Sequence, residues 1–240
     1  MYEYQGLQDI FFIMLYGAAA WFALMACVYL LLRRGNAFAD DVGSSRVLRR
    51  WTAAFMAAVF ASHVWWVLLG QQFLVDDRLV RNIVAITLDR LTFVPLMMCV
   101  LVRMLQDRRR PLWPIIPLFA PIAVTAAVCI AARSDLFEPV IKCYTVFLAV
   151  LFIIYYVRAI RQYGRWLLDN YADLERKEVW QSLLLLAFIL FVHIAYSTNG
   201  GALFIEYLAQ VNTFIIIAFL LWRVETLQEL TDETEPEKGF

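Results

Sequence analysis

Long apolar runs alternate with short charged blocks along the whole chain. Seven runs are long enough to be membrane spans: residues 10–32, 51–69, 83–102, 113–132, 140–157, 179–196 and 207–222. A span needs about 20 mostly apolar residues to cross roughly 30 Å of hydrocarbon as a helix. Lipid offers no partner to open backbone groups, which leaves only helices or closed barrels. Barrel strands would appear as alternating segments of about 10 residues, and no such segments occur. The pattern therefore predicts an all-α integral membrane bundle of seven transmembrane helices. Residues 1–222 form this one domain, and residues 223–240 form a short acidic tail. No internal repeat or low-complexity segment interrupts it.

Composition agrees with this reading. Hydrophobic residues make up 62% of the chain and charged residues 18%, against roughly half and a quarter in soluble domains. The residues before the first span include Glu3 and Asp9 but no Lys or Arg, so no cleavable signal peptide is expected.

Basic residues sort the connecting segments into two sets. One set holds Arg33, Arg34, Arg46, Arg49, Arg50, Arg103, Arg108, Arg109, Arg110, Arg158, Arg161, Arg165, Arg176, Lys177, Arg223 and Lys238. The other holds only Arg78, Arg81 and Arg133. Cytoplasmic loops carry the excess of Lys and Arg, so the N-terminus is expected outside and the C-terminus in the cytoplasm of an inner-membrane, multi-pass protein. Trp51, Trp113, Trp180 and Trp222 fall at inner span ends, and Trp65 and Trp66 at an outer end, where such rings favour the headgroup level. The net charge is zero. The basic loops read as topology signals beside anionic lipid, and no direct nucleic-acid binding is expected.

Catalytic signatures are missing from the sequence. There is no Gly-rich phosphate loop and no nucleophile motif, and His63 and His193 lie on different spans. A zinc site needs three or four converging ligands. Neither an enzyme nor a cofactor or metal site is expected. Cys27, Cys99, Cys129 and Cys143 all fall inside spans and read as packing residues. Cys129 and Cys143 come at similar depth, which leaves a disulfide between them open.

Charges inside spans are more informative, because each costs about 2.5–3.5 kcal/mol at mid-membrane and tends to face the bundle interior. Asp89 and Arg90 sit in the third span. As sequence neighbours they do not face each other on a helix, so each needs another partner. Glu206, Gln210 and Thr213 form one stripe on the seventh span, with Asn212 beside it. Lys142 opens the fifth span, and His63 and His193 lie in the outer halves of theirs. Asp89 or Arg90 is expected to face the seventh span. The group Asp89, Arg90, His63, His193, Glu206, Gln210, Asn212 and Lys142 is the candidate ligand-binding set. Interhelical hydrogen bonding alone would place the same residues there. The inner halves show far fewer buried polar groups.

Proline marks two spans. Pro111, Pro114, Pro117 and Pro121 crowd the inner half of the fourth, and Pro95 lies in the third. Pro117, Pro121 and Pro95 should each remove a backbone hydrogen bond and bend the helix.

Between the fifth and sixth spans runs DNYADLERKEVWQS, residues 169–182, with six charges in its first ten positions. Asn170 and Asp173 have capping-box spacing, which predicts a helix starting near Asn170 and running into the sixth span. The preceding RAIRQYGRWLLD should prolong the fifth span inward, with Leu167, Leu168, Tyr171 and Leu174 as its apolar stripe. The two arms near residues 158–180 would form a cytoplasmic hairpin. Asn170, Asp173, Glu175, Arg176 and Lys177 are its candidate partner-binding residues; a plain solvated loop is the simpler alternative.

DNYADLERKEVWQSLLLL and QVNTFIIIAFLLWRVETLQEL resemble the membrane-sensor region of membrane-anchored AraC-type transcriptional regulators, most clearly from about Arg165 to Leu230. The resemblance implies a sensor whose last span hands a signal to a helix-turn-helix DNA reader. Only 18 residues follow Trp222, and their balance is acidic, too few for that domain and ill suited to DNA. The expectation is a non-catalytic sensor or receptor-like module acting through a separate cytoplasmic protein. A small-solute transporter and an accessory membrane protein without a ligand are the alternatives. The bilayer is the other expected partner, and a homodimer is left open.

Overall fold

The computed structural model describes residues 9–33, 45–74, 76–105, 110–170, 183–191 and 203–227. Among these residues the chain is all-α, with helices joined by short turns and no strand. The helices are α1 (Ile10–Leu32), α2 (Arg46–Leu68), α3 (Arg78–Met104), α4 (Ile115–Leu118), α5 (Ala120–Ala132), α6 (Glu138–Asn170), α7 (within 183–191) and α8 (Leu203–Thr226). Six helical stretches are long and apolar enough to cross a membrane, with α4 and α5 counting together. This is a multi-pass membrane protein. Only 183–191 of the expected sixth span is described.

Several helix ends have identifiable causes. Asp9 caps α1 by accepting from the Phe11 and Phe12 N–H groups at 3.0 and 3.2 Å. Asp77 caps α3 through the Val80 N–H at 3.1 Å. Such a cap satisfies donors that a helix start leaves open. α2 continues into a π-helical turn, Leu69–Phe73. α5 stops at Arg133, which adopts a left-handed φ of 46°. Ser134 N–H then reaches Cys129 O at 3.0 Å, and Arg133 N–H reaches Ile130 O at 3.2 Å. This is a Schellman closure without its usual glycine. It reverses the chain within a few residues and brings Glu138 to the start of α6.

The prolines act unequally. The fourth span is interrupted at Phe119, after Pro117, whereas Pro121 is accommodated in the first turn of α5. α3, by contrast, runs through Pro95 as one helix. Threonine hydroxyls inside spans bond back to the carbonyl four residues earlier, as Thr145 does to Ile141 at 2.8 Å and Thr213 to Ala209 at 2.9 Å. That removes an unsatisfied donor from an apolar setting.

α1 packs on α2 and α8, α2 on α3, and α3 on α5. Ala19, Ala23 and Ala26 give α1 a buried face of small side chains. Small residues allow close helix approach in lipid, where packing rather than water exclusion drives association. Aromatic pairs fill the wider gaps, including Phe55–Phe93 at 4.8 Å and Phe22–Phe214 at 5.6 Å. Large apolar side chains such as Phe11, Trp21, Val124 and Phe147 point outward, as a lipid-facing surface requires.

α6 is 33 residues long, about 50 Å at 1.5 Å per residue, so it outreaches the hydrocarbon by about 20 Å. The expected prolongation of the fifth span is present. Its apolar stripe is Tyr156, Ala159, Ile160, Tyr163 and Leu167, packed in one core cluster with Leu183 and Leu186 of α7 and Leu220 and Val224 of α8. Leu168, expected in that stripe, is 61% exposed, because helical spacing turns it away from Leu167. Tyr171 and Leu174 lie outside the described residues. Asn170 is the last helical residue of α6 rather than the start of a new helix; the periodic burial through Leu167 carries α6 up to the capping-box position. Asp173, Glu175, Arg176 and Lys177 lie outside the described residues.

Candidate functional site

Near the Asp9 end of α1, polar side chains from five helices form a belt across the bundle. Tyr16 on α1 donates its hydroxyl to the His63 carbonyl on α2 at 3.0 Å, and the two rings lie 4.4 Å apart. His63 Nε2 meets Gln210 Oε1 of α8 at 3.0 Å, and Nδ1 meets the Val59 carbonyl at 2.8 Å. A backbone carbonyl can only accept, so Nδ1 carries the proton. A neutral ring with the Gln210 amide turned to donate, and an imidazolium with Gln210 Oε1 accepting, both satisfy this geometry.

Asp89 on α3 is the centre of the belt. Ser62 Oγ donates to its Oδ1 at 2.6 Å, Trp65 Nε1 to Oδ1 at 3.2 Å, and Trp66 Nε1 to Oδ2 at 2.8 Å. All three donors come from the last turns of α2, so one carboxylate replaces its lost water with three protein donors. Arg90, the next residue, points elsewhere. It is 5% exposed and holds Glu138 of α6 through two bonds, 2.9 Å from Nη2 and 3.3 Å from Nη1. This two-pronged pairing is the strong form of an Arg–carboxylate contact.

The expectation that Asp89 or Arg90 faces the last span is corrected here. Asp89 faces α2 and Arg90 faces α6, because consecutive residues on a helix diverge by about 100° and α3 lies between those two neighbours. Among the described residues α8 contributes Gln210 to the belt, while Thr213 spends its hydroxyl on its own helix. Asn212 lies half-buried, with an Nδ2 that has no hydrogen-bond partner. Glu206 and Lys142 are half-buried, and neither enters the belt's hydrogen bonds given above. His193 lies outside the described residues. The four cysteines are free, with Cys129 buried and Cys143 exposed. The bridge left open by the sequence is not formed, since the two side chains look in different directions.

Asp9 stands just before α1, outside the span. The Tyr207 hydroxyl and the Phe12 and Phe11 N–H groups hold its carboxyl below the usual carboxylate range.

The opposite end holds polar groups that the sequence reading missed. Arg49, Thr52, Arg223 and Glu225 are all buried there. Arg49 donates to Glu225 at 2.7 Å, with both side chains 4% exposed. Arg49 had read as a loop charge, and Arg223 and Glu225 as part of the short acidic tail. The signal that could have found them is the apolar spacing of Ile216, Leu220 and Val224, which continues the buried face of α8 beyond Trp222.

Chemically, the belt can hold and orient polar groups. Among the described residues no three His, Cys, Asp or Glu side chains are grouped to hold a metal ion. The crevice lined by Val94, Met98, Phe152, Ala187 and Phe191 is apolar throughout and includes no belt side chain. No family model, curated protein or solved structure matches the chain.

Proposed function

We propose that this chain is a non-catalytic sensor module of the cytoplasmic membrane, relaying an external or membrane signal to a cytoplasmic protein linked to transcription. In this reading it has seven spans, its N-terminus is outside and its C-terminus is in the cytoplasm, as the basic-residue bias supports. The resemblance of residues 165–230 to the sensor region of membrane-anchored AraC-type regulators supports the same reading.

One observation carries the proposal. α8 has a polar partner near each end, Gln210 with His63 and Glu225 with Arg49, and both partners belong to α2. The two contacts are 15 residues apart on α8, about 22 Å. A shift of α8 against α2 at the belt is therefore delivered at the far end. There α8 and the buried stripe of α6 belong to one core cluster, and the other face of α6 exposes Arg158, Arg161, Arg165 and Asp169. That face is the docking surface for the partner. The mutual satisfaction of Asp89, Ser62, Trp65 and Trp66 favours a second reading, an accessory membrane protein whose belt only holds the bundle together.

The test is in-cell photo-crosslinking from Arg161 and Arg165, in wild type and in Gln210→Ala. A partner captured by wild type but altered in Gln210→Ala is expected. Equal capture by both would favour the accessory protein, and capture by neither would overturn the sensor.

A further inference from the structure

The arm of α6 that outreaches the hydrocarbon leaves one face uncovered. Arg158, Arg161 and Arg165 are exposed on it, at spacings of three and four that set them side by side. Among the described residues none of the three joins an ion pair. Arg110 lies alongside and donates to Gln162 Oε1 of the same helix at 3.2 Å. Like charges at these spacings repel, so the row attracts an anionic cover. Arg46 and Arg50 are also exposed at this end, but they sit in the first turns of a spanning helix, at headgroup level.

The chain itself carries a complementary segment that starts nearby. Val224 and Leu227, at the end of α8, belong to the same core cluster as Tyr163 and Leu167, at the end of α6. The two helices therefore finish at one end of the bundle. Residues 228–240 lie outside the described residues. Their sequence holds Glu229, Asp232, Glu233, Glu235 and Glu237 against Lys238 as its one cation. A helix is about 10–12 Å across, so half its girth is roughly 16–19 Å. A chain extends by about 3.3–3.6 Å per residue at most, so Leu227 to Asp232 covers roughly that distance. Asp232, Glu233, Glu235 and Glu237 thus have the reach to pass round α6 to its open face, and Glu229 does not.

We propose that the acidic run from Asp232 to Glu237 docks on the Arg158, Arg161 and Arg165 face of α6 and shields it. The consequence rests on the sensor reading above: that face is the partner's docking surface, so the tail competes with the partner and holds the relay off until it is displaced. Full-length protein in nanodiscs tests the contact by disulfide trapping, with the natural cysteines replaced. Leu168→Cys lies exposed on the arginine face, and Thr234→Cys lies within the acidic run; neither change removes a charge. Val47→Cys, exposed beside Arg46 and Arg50, replaces Leu168→Cys in the control. In phosphatidylcholine discs at low salt the Leu168–Thr234 pair should bridge within one chain, and faster than the Val47–Thr234 pair. Three exposed ion pairs set an expected slowing of about tenfold when Asp232→Asn, Glu233→Gln, Glu235→Gln and Glu237→Gln are combined. About 1 M salt, where the Debye length is roughly 3 Å, should slow it similarly. A rate unchanged by neutralisation, or a faster control pair, overturns the contact. So does loss of bridging when the discs carry anionic phosphatidylglycerol, which assigns the face to lipid. Photo-crosslinking of the partner from Arg161 reads the competition separately, and the neutralised tail should raise capture severalfold. Bridging without that rise keeps the contact but overturns the shielding. Absent bridging overturns the contact whatever the partner does.

Discussion

Arg49, in the first turn of α2, and Glu225, in the last turn of α8, form an ion pair of 2.7 Å with both side chains 4% exposed. The Tyr29 ring of α1 lies beneath the same guanidinium at 5.9 Å. Three helices thus meet on one charge. The two residues are 176 positions apart in the chain, so the pair closes the bundle by joining its beginning to its end.

Removing one partner of a buried pair leaves the other charge uncompensated, at a cost of about 3–5 kcal/mol. Glu225→Ala and Arg49→Ala should each destabilise by that order in detergent. Replacing both by Met should recover much of the loss, because a well-packed apolar pair is often neutral. Thermal unfolding of the four proteins forms the cycle, and losses that simply add would refute the pairing.

Asp89 is held by three donors from α2. Asp89→Ala strands all three and should destabilise more than Asp89→Asn, which retains an accepting oxygen. Trp66→Phe removes one donor and should cost about 0.6–1.7 kcal/mol, the range measured for interhelical hydrogen bonds in membranes. Unfolding midpoints give the order, and tryptophan emission should shift in Asp89→Ala as Trp65 and Trp66 lose their acceptor.

The lowered carboxyl of Asp9 makes a pH prediction with a definite sign. The stabilisation is complete above the ordinary value of 3.8 and is lost as pH falls through the lower folded value. Asp9→Asn should be less stable than wild type at neutral pH. The two should converge as pH falls through that lowered value, which melting curves across pH can follow.

The proposed topology places Arg161 in the cytoplasm and Arg133 outside. With the natural cysteines replaced, Arg161→Cys should resist a membrane-impermeant maleimide in intact cells and react after lysis. Arg133→Cys should react in both. The opposite pattern would invert the bundle and remove the cytoplasmic docking face.

Residues 169–182 carry six charged side chains between two apolar spans. Exposed ion pairs contribute little to stability, about 1 kcal/mol or less, yet they set partner choice and encounter rate. Asp173→Arg combined with Glu175→Arg should leave the melting temperature near wild type while abolishing partner capture. Loss of folding would make the segment structural, and unchanged capture would make it a connector.

Much of the belt was legible before any coordinates. Asp89, Arg90, His63 and Gln210 stood out because a charge or amide within an apolar run must be compensated. Their pairing was not legible. Trp65 and Trp66 read as headgroup-level rings at an outer span end and Ser62 carried no signal, yet the end of α2 wraps all three around the Asp89 carboxylate. Glu138 carried no signal in the sequence; the tight turn at Arg133 brings it to Arg90.

By itself the sequence determined the class of protein, the approximate positions of the spans, the inward prolongation of α6 and the residues too polar to face lipid. Each follows from the same local rule: a helix in hydrocarbon must be about 20 residues long and apolar, and its exceptions must find partners. The tertiary structure decided which helix supplies each partner. It turned Asp89 to α2 rather than α8, gave Arg90 to α6 and closed Arg49 onto Glu225. Those choices depend on the rotation of each helix about its own axis and on which neighbours touch it. In lipid these are set by side-chain packing between helices far apart in the chain, a quantity that no single apolar run contains.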